Sequence, residues 1–308
     1  VNKFNEIEVI GHGLANNSGI KKGQIIDPSR VAKSIREAIN YAEEISELSV
    51  NSAYVNIKGI NVRIEKIVME SDVEKPDDGM TINDIYNLYS KIQIATRLDS
   101  DEQIIDILPY EYIVNGRVYK EEPIGAFCKS FSMEVEVVIA KGKYINGVLR
   151  TLDEANLKLD GLILETLATS NIVLMPEEKE NGVLLVDMGG GHTDISVYKN
   201  SKLEFYTTIP VGGNHITNDI ALTFDISLEE AEKLKKQYNL AIMAMISNNH
   251  EIKLSTKASD QENNIVKCSD IVQVIEARVN QVFQIIRKMV SDNNLLATVE
   301  SVVLTPQG

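Results

Sequence analysis

Apolar residues recur every three or four positions in two long stretches of the chain. The first spans 28–47, follows Asp27-Pro28, and carries the stripe Val31, Ile35, Ala38, Ile39, Ala42 and Ile45. The second begins at Ser269 and carries Ile271, Ile275, Val279, Val282, Ile286 and Val290. Such spacing places the apolar side chains on one face of a helix, and Asp-Pro is a typical helix start. Both stretches are predicted to be amphipathic helices, and the second is read as packed on the core rather than as a membrane anchor.

Shorter periodic segments alternate with these helices. Helical spacing predicts helices over 82–92, 146–158 and 165–174, and from a capping box at Ser227 and Glu230 to about Tyr238. Apolar runs predict strands at 53–57, 62–68, 103–107, 110–119, 132–140, 162–164, 203–209 and 302–304. Residues 247–265 are polar and are expected to be a loop or short strands. The polar stretch 70–79, which ends in Pro-Asp-Asp-Gly, marks the edge of an inserted α+β module.

A glycine turn between two predicted strands carries the first candidate chemistry. The apolar run from Val183 ends at Asp187, Gly189-Gly190-Gly191 follow, and a second strand-like segment continues to Tyr198. Glycines leave room for successive N–H groups to face one anion, and a carboxylate at the strand end suits Mg²⁺. No Gly-Lys-Ser/Thr is present for a P-loop, and no helix follows as in a Rossmann turn. A plain hairpin whose glycines only permit positive φ stays open as the alternative.

Composition and charge narrow the class of protein. The 308 residues are enough for two domains, and the net charge of −14 argues against nucleic acid as the main partner. Cys128 and Cys268 lie far apart without metal-ligand spacing, which favours a reducing, cytoplasmic setting. No apolar run approaches the roughly 18 residues of a membrane span.

A second glycine turn points to a family. Gly212-Gly213-Asn214 enters a predicted helix whose N-terminal N–H groups form a possible anion site. Val186-Asp187-Met188-Gly189-Gly190-Gly191 is similar to the second phosphate motif of actin-like ATPases. The chain also resembles the FtsA family of bacterial cell-division proteins over nearly its whole length. The segments that carry this resemblance are 212–221, Glu229-Glu230-Ala231-Glu232-Lys233-Leu234-Lys235, Gly19-Ile20-Lys21-Lys22-Gly23 and Ile275-Glu276-Ala277-Arg278.

The resemblance implies an actin-like, ribonuclease-H-like α/β fold of two domains with an inserted α+β subdomain, 1C. The expected divisions are 1–61 (1A, without its N-terminal part), 62–145 (1C), 146–180 (return to 1A), 181–245 (2A), 246–293 (2B) and 294–308 (return to 2A, truncated). The family's first phosphate motif, its Gly-Gly adenosine motif and its C-terminal amphipathic membrane helix are expected to lie outside this chain.

The resemblance also implies an ATP and Mg²⁺ site. Its β/γ-phosphate contacts would be Gly189, Gly190, Gly191 and Thr193, with Asp187 holding Mg²⁺ through water and Gly212, Gly213 and Asn214 near the sugar and phosphates. Glu232 and Lys235 would hold the ribose and adenine; a solvated (i, i+3) salt bridge is the alternative for that pair.

Two departures from the family bear on hydrolysis. His192 stands where the family usually has a threonine that reaches the γ-phosphate, and an imidazole would either replace or block that contact. Asn171 falls where actins place a water-orienting glutamine, and an amide orients water but accepts no proton. ATP binding with slow or undetectable hydrolysis is therefore expected.

The resemblance further implies partners and a location. The expected partners are the C-terminal tail of FtsZ, other copies of the chain in a filament, and other divisome proteins through 1C. The expected location is the inner face of the cell membrane at the division site. Arg278 in 2B is the predicted contact for the FtsZ tail, with an ordinary exposed helix charge as the alternative. A PilM-like type IV pilus protein remains a second reading; a sugar or acid kinase would need a catalytic aspartate motif that is not found here.

Overall fold

The computed structural model describes residues 8–21, 24–254 and 264–306. Lys22-Gly23, most of the predicted polar stretch after 254 and the last two residues lie outside these ranges. The chain divides into two compact units, Val1–Thr169 and Ser170–Gly308, and the boundary falls inside one helix. The predicted finer division into subdomains stays a prediction. No helix in the described ranges is long and apolar enough to cross a membrane.

The first unit contains two sheets and a short hairpin. Its strands are β1 (Ile20–Lys21), β2 (Gln24–Ile25), β3 (Ser52–Ile57), β4 (Val62–Asp72), β5 (Glu102–Val114), β6 (Arg117–Tyr119), β7 (Ser130–Lys141) and β8 (Lys158–Leu164). Its helices are α1 (Pro28–Ser46), α2 (Ile82–Ala95) and α3 (Gly142–Glu154), and α4 (Glu165–Val173) spans the boundary.

Helix α1 begins as the sequence predicts. The Asp27 carboxylate accepts a hydrogen bond from the N–H of Arg30, and Pro28 occupies the first helical turn, where its missing N–H has no cost. Helices α1 and α3 pack together beside the parallel pair β3–β8 around a core of Ala32, Val148, Leu152, Ala155 and Leu157.

Strands β4 to β7 form a separate antiparallel sheet in the order β4-β7-β5-β6. The apolar stripe of α2 covers one face of it, with Ile85, Leu88 and Ile92 fully buried. Along β7, alternate residues Phe131, Met133, Val135, Val137 and Ile139 face this helix. The period of two in the sequence therefore reports directly which face of β7 is covered.

The predicted strand 110–119 is wrong as a single element. Its first half belongs to β5, which is continuous from Glu102 despite irregularities near Ile104 and Pro109. The chain then turns at Asn115 and Gly116, whose φ values are 49° and 76°, and returns as β6. Asn-Gly is a strong hairpin signal because both residues tolerate positive φ, and a reading by alternation alone overlooked it.

The predicted helix 146–158 is displaced, because α3 runs from Gly142 to Glu154. Gly142 donates its N–H to the carbonyl of Asp101, so the helix starts directly at the end of β7. Asn156 adopts φ 52° and ends it, since a left-handed residue cannot continue an α-helix. The apolar pattern indicated the helix but not these backbone stops.

The second unit has a four-stranded sheet covered by helices. The described strands of this unit are β9 (Val183–Met188), β10 (Thr193–Lys199), β11 (Lys202–Ile209), β12 (Glu251–Leu254), β13 (Asn264–Lys267) and β14 (Ser301–Pro306). Strands β12 and β13 pair with each other, and the other four form the sheet. Its helices are α5 (Pro176–Asn181), α6 (Gly213–Thr223), α7 (Leu228–Gln237) and α8 (Cys268–Asp292), with a 3-10 turn at Met243–Met245.

Helix α8 contributes side chains to two apolar clusters of the described part of this unit. Its first half packs Ile271 and Ile275 among the apolar residues of α6 and α7. Its second half packs Val282, Ile286 and Val290 against β9 and β10, in the sheet of order β11-β10-β9-β14. The stripe predicted for this helix is therefore core throughout, as expected for an apolar face at helical spacing.

Arg63, Glu102 and Lys141 form a charged cluster on strands β4, β5 and β7 of the inserted sheet. The Glu102 side chain is 4% exposed and accepts two hydrogen bonds from Arg63, at 3.1 and 2.8 Å, while Lys141 lies 3.3 Å away. The Arg63 hydrogen bonds outweigh the cost of burial and lower the pKa of Glu102 from 4.5 to about 2. The ionised carboxylate is thus part of the folded state.

We predict that Glu102→Gln destabilises the protein by about 1.5–3 kcal/mol at neutral pH, because Arg63 loses a charge-assisted partner. A lowered pKa gives stability that is present above the ordinary pKa and lost as pH falls through the folded one. The difference from the parent should therefore shrink between pH 4.5 and about 2. Urea unfolding across this range measures it. Glu65→Gln is the control, since Glu65 also contacts Arg63 but is 34% exposed and should cost less; a pH-independent difference would contradict the assignment.

Candidate nucleotide-binding site

The glycine turn predicted from the sequence joins β9 and β10. Asp187, the penultimate residue of β9, is 3% exposed. Gly189 closes the turn by donating its N–H to the carbonyl of His192 at 3.0 Å. The predicted strand, turn and strand are confirmed, and Asp187 lies at the foot of the turn.

The second glycine turn forms two backbone hydrogen bonds with the first, and this contact is called the clasp. The N–H of Gly213 donates to the carbonyl of Gly189 at 2.9 Å, and the N–H of Asn214 donates to the carbonyl of Gly190 at 2.8 Å. The approach is close enough that a Cβ on Gly212 would lie 2.3 Å from the Gly189 oxygen. Glycine is required there by space rather than by φ, which is −160°.

The front of the turn is open. A Cβ on Gly191 would meet nothing within 4 Å, and one on Gly190 would meet only the mobile end of the Asn214 side chain, at 3.2 Å. Within the described residues, the N–H groups of Gly190 and Gly191 have no hydrogen-bond acceptor. Successive N–H groups without acceptors in a turn are the kind of feature that can bind an anion.

The N-terminus of α6 has a different role from the predicted one. Its first N–H groups are used inside the protein, because Gly213, Asn214 and His215 donate to Gly189, Gly190 and Gly212. The N–H of Gly212 donates in turn to Nδ1 of His215 at 3.1 Å. The expected anion site on these helix N–H groups is therefore wrong; the helix end supports the hairpin turn, which presents its own N–H groups.

A row of oxygen-bearing side chains crosses the sheet below the turn. Cross-strand pairing aligns Thr208, Asp194, Asp187 and Thr305 on β11, β10, β9 and β14. Paired residues of neighbouring strands share a face, so all four side chains lie on one side. Asp194 is 4% exposed and accepts hydrogen bonds from Thr208 and from the Tyr206 hydroxyl. The sequence reading missed Asp194 and Thr305, although period-two alternation from Asp187 would have suggested Asp194.

The side chains of His192 and Thr193 turn toward the protein. Nε2 of His192 lies 3.7 Å from Oδ2 of Asp194, and the ring is 14% exposed. Thr193 is fully buried and donates its hydroxyl proton to the carbonyl of Val211 at 2.7 Å. The proton that the predicted phosphate contact of Thr193 would use is therefore committed to the backbone, and its side chain ties β10 to the second turn.

Glu232 and Lys235 form a partly buried pair rather than a solvated one. Lys235 lies 2.9 Å from Glu232 and 3.4 Å from the carbonyl of Gly213, which brings the pair to the start of α6. The Thr217 hydroxyl donates to Glu232 at 2.5 Å. Burial raises the pKa of Glu232, but the hydrogen bonds from Thr217 and Lys235 outweigh it and the net shift is downward. The two side chains predicted to hold the nucleoside thus adjoin the second glycine turn.

Asn171 makes its hydrogen bond toward the end of the hairpin opposite the glycine turn, and its water-positioning role stays a prediction. Its side-chain oxygen accepts a hydrogen bond from Lys179 at 2.8 Å, and Lys179 stands 5.5 Å from the ring centre of Tyr198. Tyr198 pairs with Val183 at the far end of the hairpin, five residues or about 17 Å along the strand from Met188. The resemblance to actins, from which the role of Asn171 was predicted, gave no information on this contact.

Arg278 is engaged within the protein. Its guanidinium forms a two-point ion pair with Asp219 of α6, at 2.6 and 2.8 Å, and donates to Gln281. The Asp219 hydrogen bonds raise the pKa of Arg278 further above its ordinary value. The side chain is 25% exposed, so it is neither a free partner contact nor an ordinary exposed charge. A shallow groove beside it is lined by Leu222, Thr223, Val274 and Ala277.

Two family models match separate segments of the chain. Residues 184–302 match the family described as cell division protein FtsA, and residues 59–139 match the SHS2 domain inserted in FtsA. The chain is 28% identical over 280 residues to the cell division protein FtsA of Bacillus subtilis, covering 91% of this chain and 63% of that protein. It is 27% identical over 282 residues to that of Pseudomonas aeruginosa, covering 92% and 67%.

The chain is an FtsA-like protein. It spans about two thirds of the length of these relatives. A solved PilM–PilN type IV pilus biogenesis complex has a similar structure, with a TM-score of 0.62 and 16% identity over 94% of this chain and 71% of that chain. At this identity the likeness concerns the fold alone. The FtsA-like chain has the predicted actin-like α/β fold, and its SHS2 match coincides with the inserted sheet.

We predict opposite outcomes for alanine at two glycines of the FtsA-like chain. Gly212→Ala should destabilise it by about 1–3 kcal/mol, because the new methyl group must displace the Gly189 carbonyl. Gly191→Ala adds its methyl group to open space and should change the free energy of unfolding by less than about 0.5 kcal/mol. Urea unfolding of both variants measures this. Equal stability of the two would contradict the clasp between the turns.

Proposed function

We propose that this FtsA-like protein binds Mg²⁺ and ATP at the glycine turn of its second unit. One observation carries the proposal: an open turn presents the N–H groups of Gly190 and Gly191, with the buried carboxylate of Asp187 at its foot. Phosphate oxygens suit such N–H groups, and Mg²⁺ prefers a carboxylate, water and phosphate oxygens together. The residues therefore fit a phosphate with its hydrated cation.

The residues around the turn take separate roles in this proposal. The N–H groups of Gly190 and Gly191 bind the β- and γ-phosphates, and the exposed amide of Asn214 at the rim donates to the phosphate or sugar. Gly189, Gly212 and Gly213 give the turn its shape. Asp187 holds Mg²⁺ through water.

The Glu232–Lys235 pair binds the ribose and adenine. It lies against Gly213 and is held in place by Thr217, so its side chains are already ordered. A pair ordered before the ligand arrives loses little conformational entropy on binding.

We further propose that hydrolysis is slow or absent. The threonine hydroxyl of the turn is committed to Val211, and His192 is directed to Asp194 rather than presenting a hydroxyl to phosphate. The side-chain oxygen of Asn171 is engaged by Lys179. A site of this kind stabilises a bound phosphate more than it activates a nucleophile.

We expect the full-length protein to bind Mg·ATP and to release phosphate at no more than a slow rate. Gly191→Ala should weaken binding roughly tenfold or more, because its methyl group stands before the N–H groups while the fold is kept. Calorimetric titration and a phosphate-release assay measure both properties. Absence of ATP binding would remove the nucleotide proposal, and rapid Mg-dependent phosphate release would remove the proposal of slow hydrolysis.

In the cell, we propose that the protein acts in the divisome as an ATP-gated adaptor that polymerises and links FtsZ to the membrane. Self-association in an actin-like filament and contacts of the SHS2 sheet with other divisome proteins belong to the same proposal. It is supported by the FtsA and SHS2 matches, which cover separate parts of the chain. The acidic, apolar tail of FtsZ is assigned to the groove beside Arg278, whose lining combines the Arg278–Asp219 ion pair with apolar side chains.

The Arg278–Asp219 pair allows a sharper test than removal of Arg278 alone. Arg278→Ala should weaken binding of an acidic, apolar FtsZ tail peptide about tenfold, since it removes the cation. Asp219→Asn breaks the same ion pair but leaves Arg278 charged, so it should keep or strengthen binding. Peptide titration by fluorescence anisotropy distinguishes the two. If both variants lose binding equally, the pair supports α6–α8 packing and Arg278 does not contact the tail.

A further inference from the structure

The carboxyl ends of two parallel strands meet at the foot of the glycine turn. β14 runs parallel to β9, and Thr305 pairs with Asp187 near the end of both strands. Paired residues on neighbouring parallel strands share a face, so the Thr305 side chain lies beside that of Asp187. In open α/β sheets, ligands bind outside the carboxyl ends of such strands.

The Thr305 hydroxyl differs from most buried polar groups in its hydrogen bonding. Its Oγ1 is shielded from solvent and has no hydrogen-bond partner within 8–21, 24–254 and 264–306. Nε2 of His192 is a second such atom; it lies 3.7 Å from Asp194, beyond hydrogen-bond length. Buried polar groups of native proteins are nearly always hydrogen-bonded, so an exception is expected to serve a ligand, an ion or an ordered water.

The other threonine of the same row provides an internal comparison. Thr208 stands at the opposite edge, on β11, and donates its hydroxyl to the carboxylate of Asp194. Thr208 therefore has a structural partner, whereas Thr305, which lies beside Asp187, has none among the residues that the structure describes. Valine has the same shape as threonine and favours strands equally well. Nothing in the described part of the chain thus offsets the cost of burying the Thr305 hydroxyl.

We propose that Thr305 is a binding residue of the Mg–nucleotide site, which rests on the function proposed above. Its hydroxyl oxygen accepts a hydrogen bond from a water molecule of the hydrated cation that Asp187 holds. Mg²⁺ keeps several of its waters in proteins, and those waters need acceptors around the carboxylate. Thr305 and Asp187 supply such acceptors from two adjacent strands whose backbones fix their separation.

The test compares Thr305→Val with the parent in two measurements. Thermal unfolding of the ligand-free proteins should give an equal or higher melting temperature for the variant, because the valine leaves no buried hydroxyl without a partner. Calorimetric titration with Mg·ATP should show binding weakened about three- to tenfold, whereas binding of ATP in EDTA should be unchanged. Thr305→Ser, which keeps a hydroxyl, should restore binding of Mg·ATP.

Thr208→Val is the matched control. It removes a hydroxyl that has a structural partner, so it should lower the melting temperature of the ligand-free protein. Unchanged Mg·ATP binding in Thr305→Val would overturn the assignment of Thr305 while leaving the nucleotide site in place. A lower melting temperature for Thr305→Val, with equal losses in Mg²⁺ and EDTA, would also overturn it. If the parent itself binds no Mg·ATP, the proposed function fails and Thr305 loses its ligand with it.

Discussion

Two backbone hydrogen bonds between glycine turns determine the geometry of the site in the second unit. They run from the N–H groups of Gly213 and Asn214 to the carbonyls of Gly189 and Gly190. They can form because Gly212 has no Cβ, which would otherwise meet the Gly189 oxygen at 2.3 Å. With the carbonyls of the turn engaged behind it, the turn presents N–H groups at its front, and these are what an anion requires. The glycines therefore matter first for the approach of two backbones and only then for the ligand.

The same clasp connects the turn to the helices of this unit. Helix α6 begins at the clasp, and Thr217 and Asp219 on its later turns bind Glu232 of α7 and Arg278 of α8. Lys235 of α7 in turn contacts the carbonyl of Gly213 at the start of α6. Each of these contacts involves a charged group that is partly buried, where screening by solvent is weaker than at the surface. The position of α6 is thus fixed by the turn at its start and by ion pairs along its length.

The sequence predicted the features that are local along the chain. Apolar spacing located α1 and α8, Asp27 and Ser227 located helix starts, and the glycines located both turns. The missed turn at Asn115 and Gly116 is a local error, whereas the use of the α6 N–H groups depends on contacts between residues distant along the chain. Asn171 was assigned by the position of a glutamine in actins, whereas its side chain hydrogen-bonds to Lys179, which lies over Tyr198 at the end of the hairpin opposite the glycine turn.

Cross-strand contacts were harder still to read from the sequence. Thr305 is separated from Asp187 by more than a hundred residues of sequence and joins it only through the parallel register of β14 with β9. No local pattern carries that register. The hydroxyl of Thr193 could not be placed either, because its acceptor, the Val211 carbonyl, is set by the approach of the second turn.

The polar row below the turn bears on the proposal that the protein binds a nucleotide without hydrolysing it rapidly. A general base needs a lone pair directed at the attacking water. Asp194 already accepts hydrogen bonds from Tyr206 and Thr208, and its other oxygen faces His192. Its lone pairs are therefore directed along the sheet toward neighbouring side chains. This arrangement supports the proposal that a hydrated cation binds near the turn, and it leaves Asp194 poorly placed to accept a proton from water beside a bound phosphate. In the proposed function, a bound nucleotide acts as a switch only where it binds two conformations of the protein with different affinities, and this requires no rapid turnover.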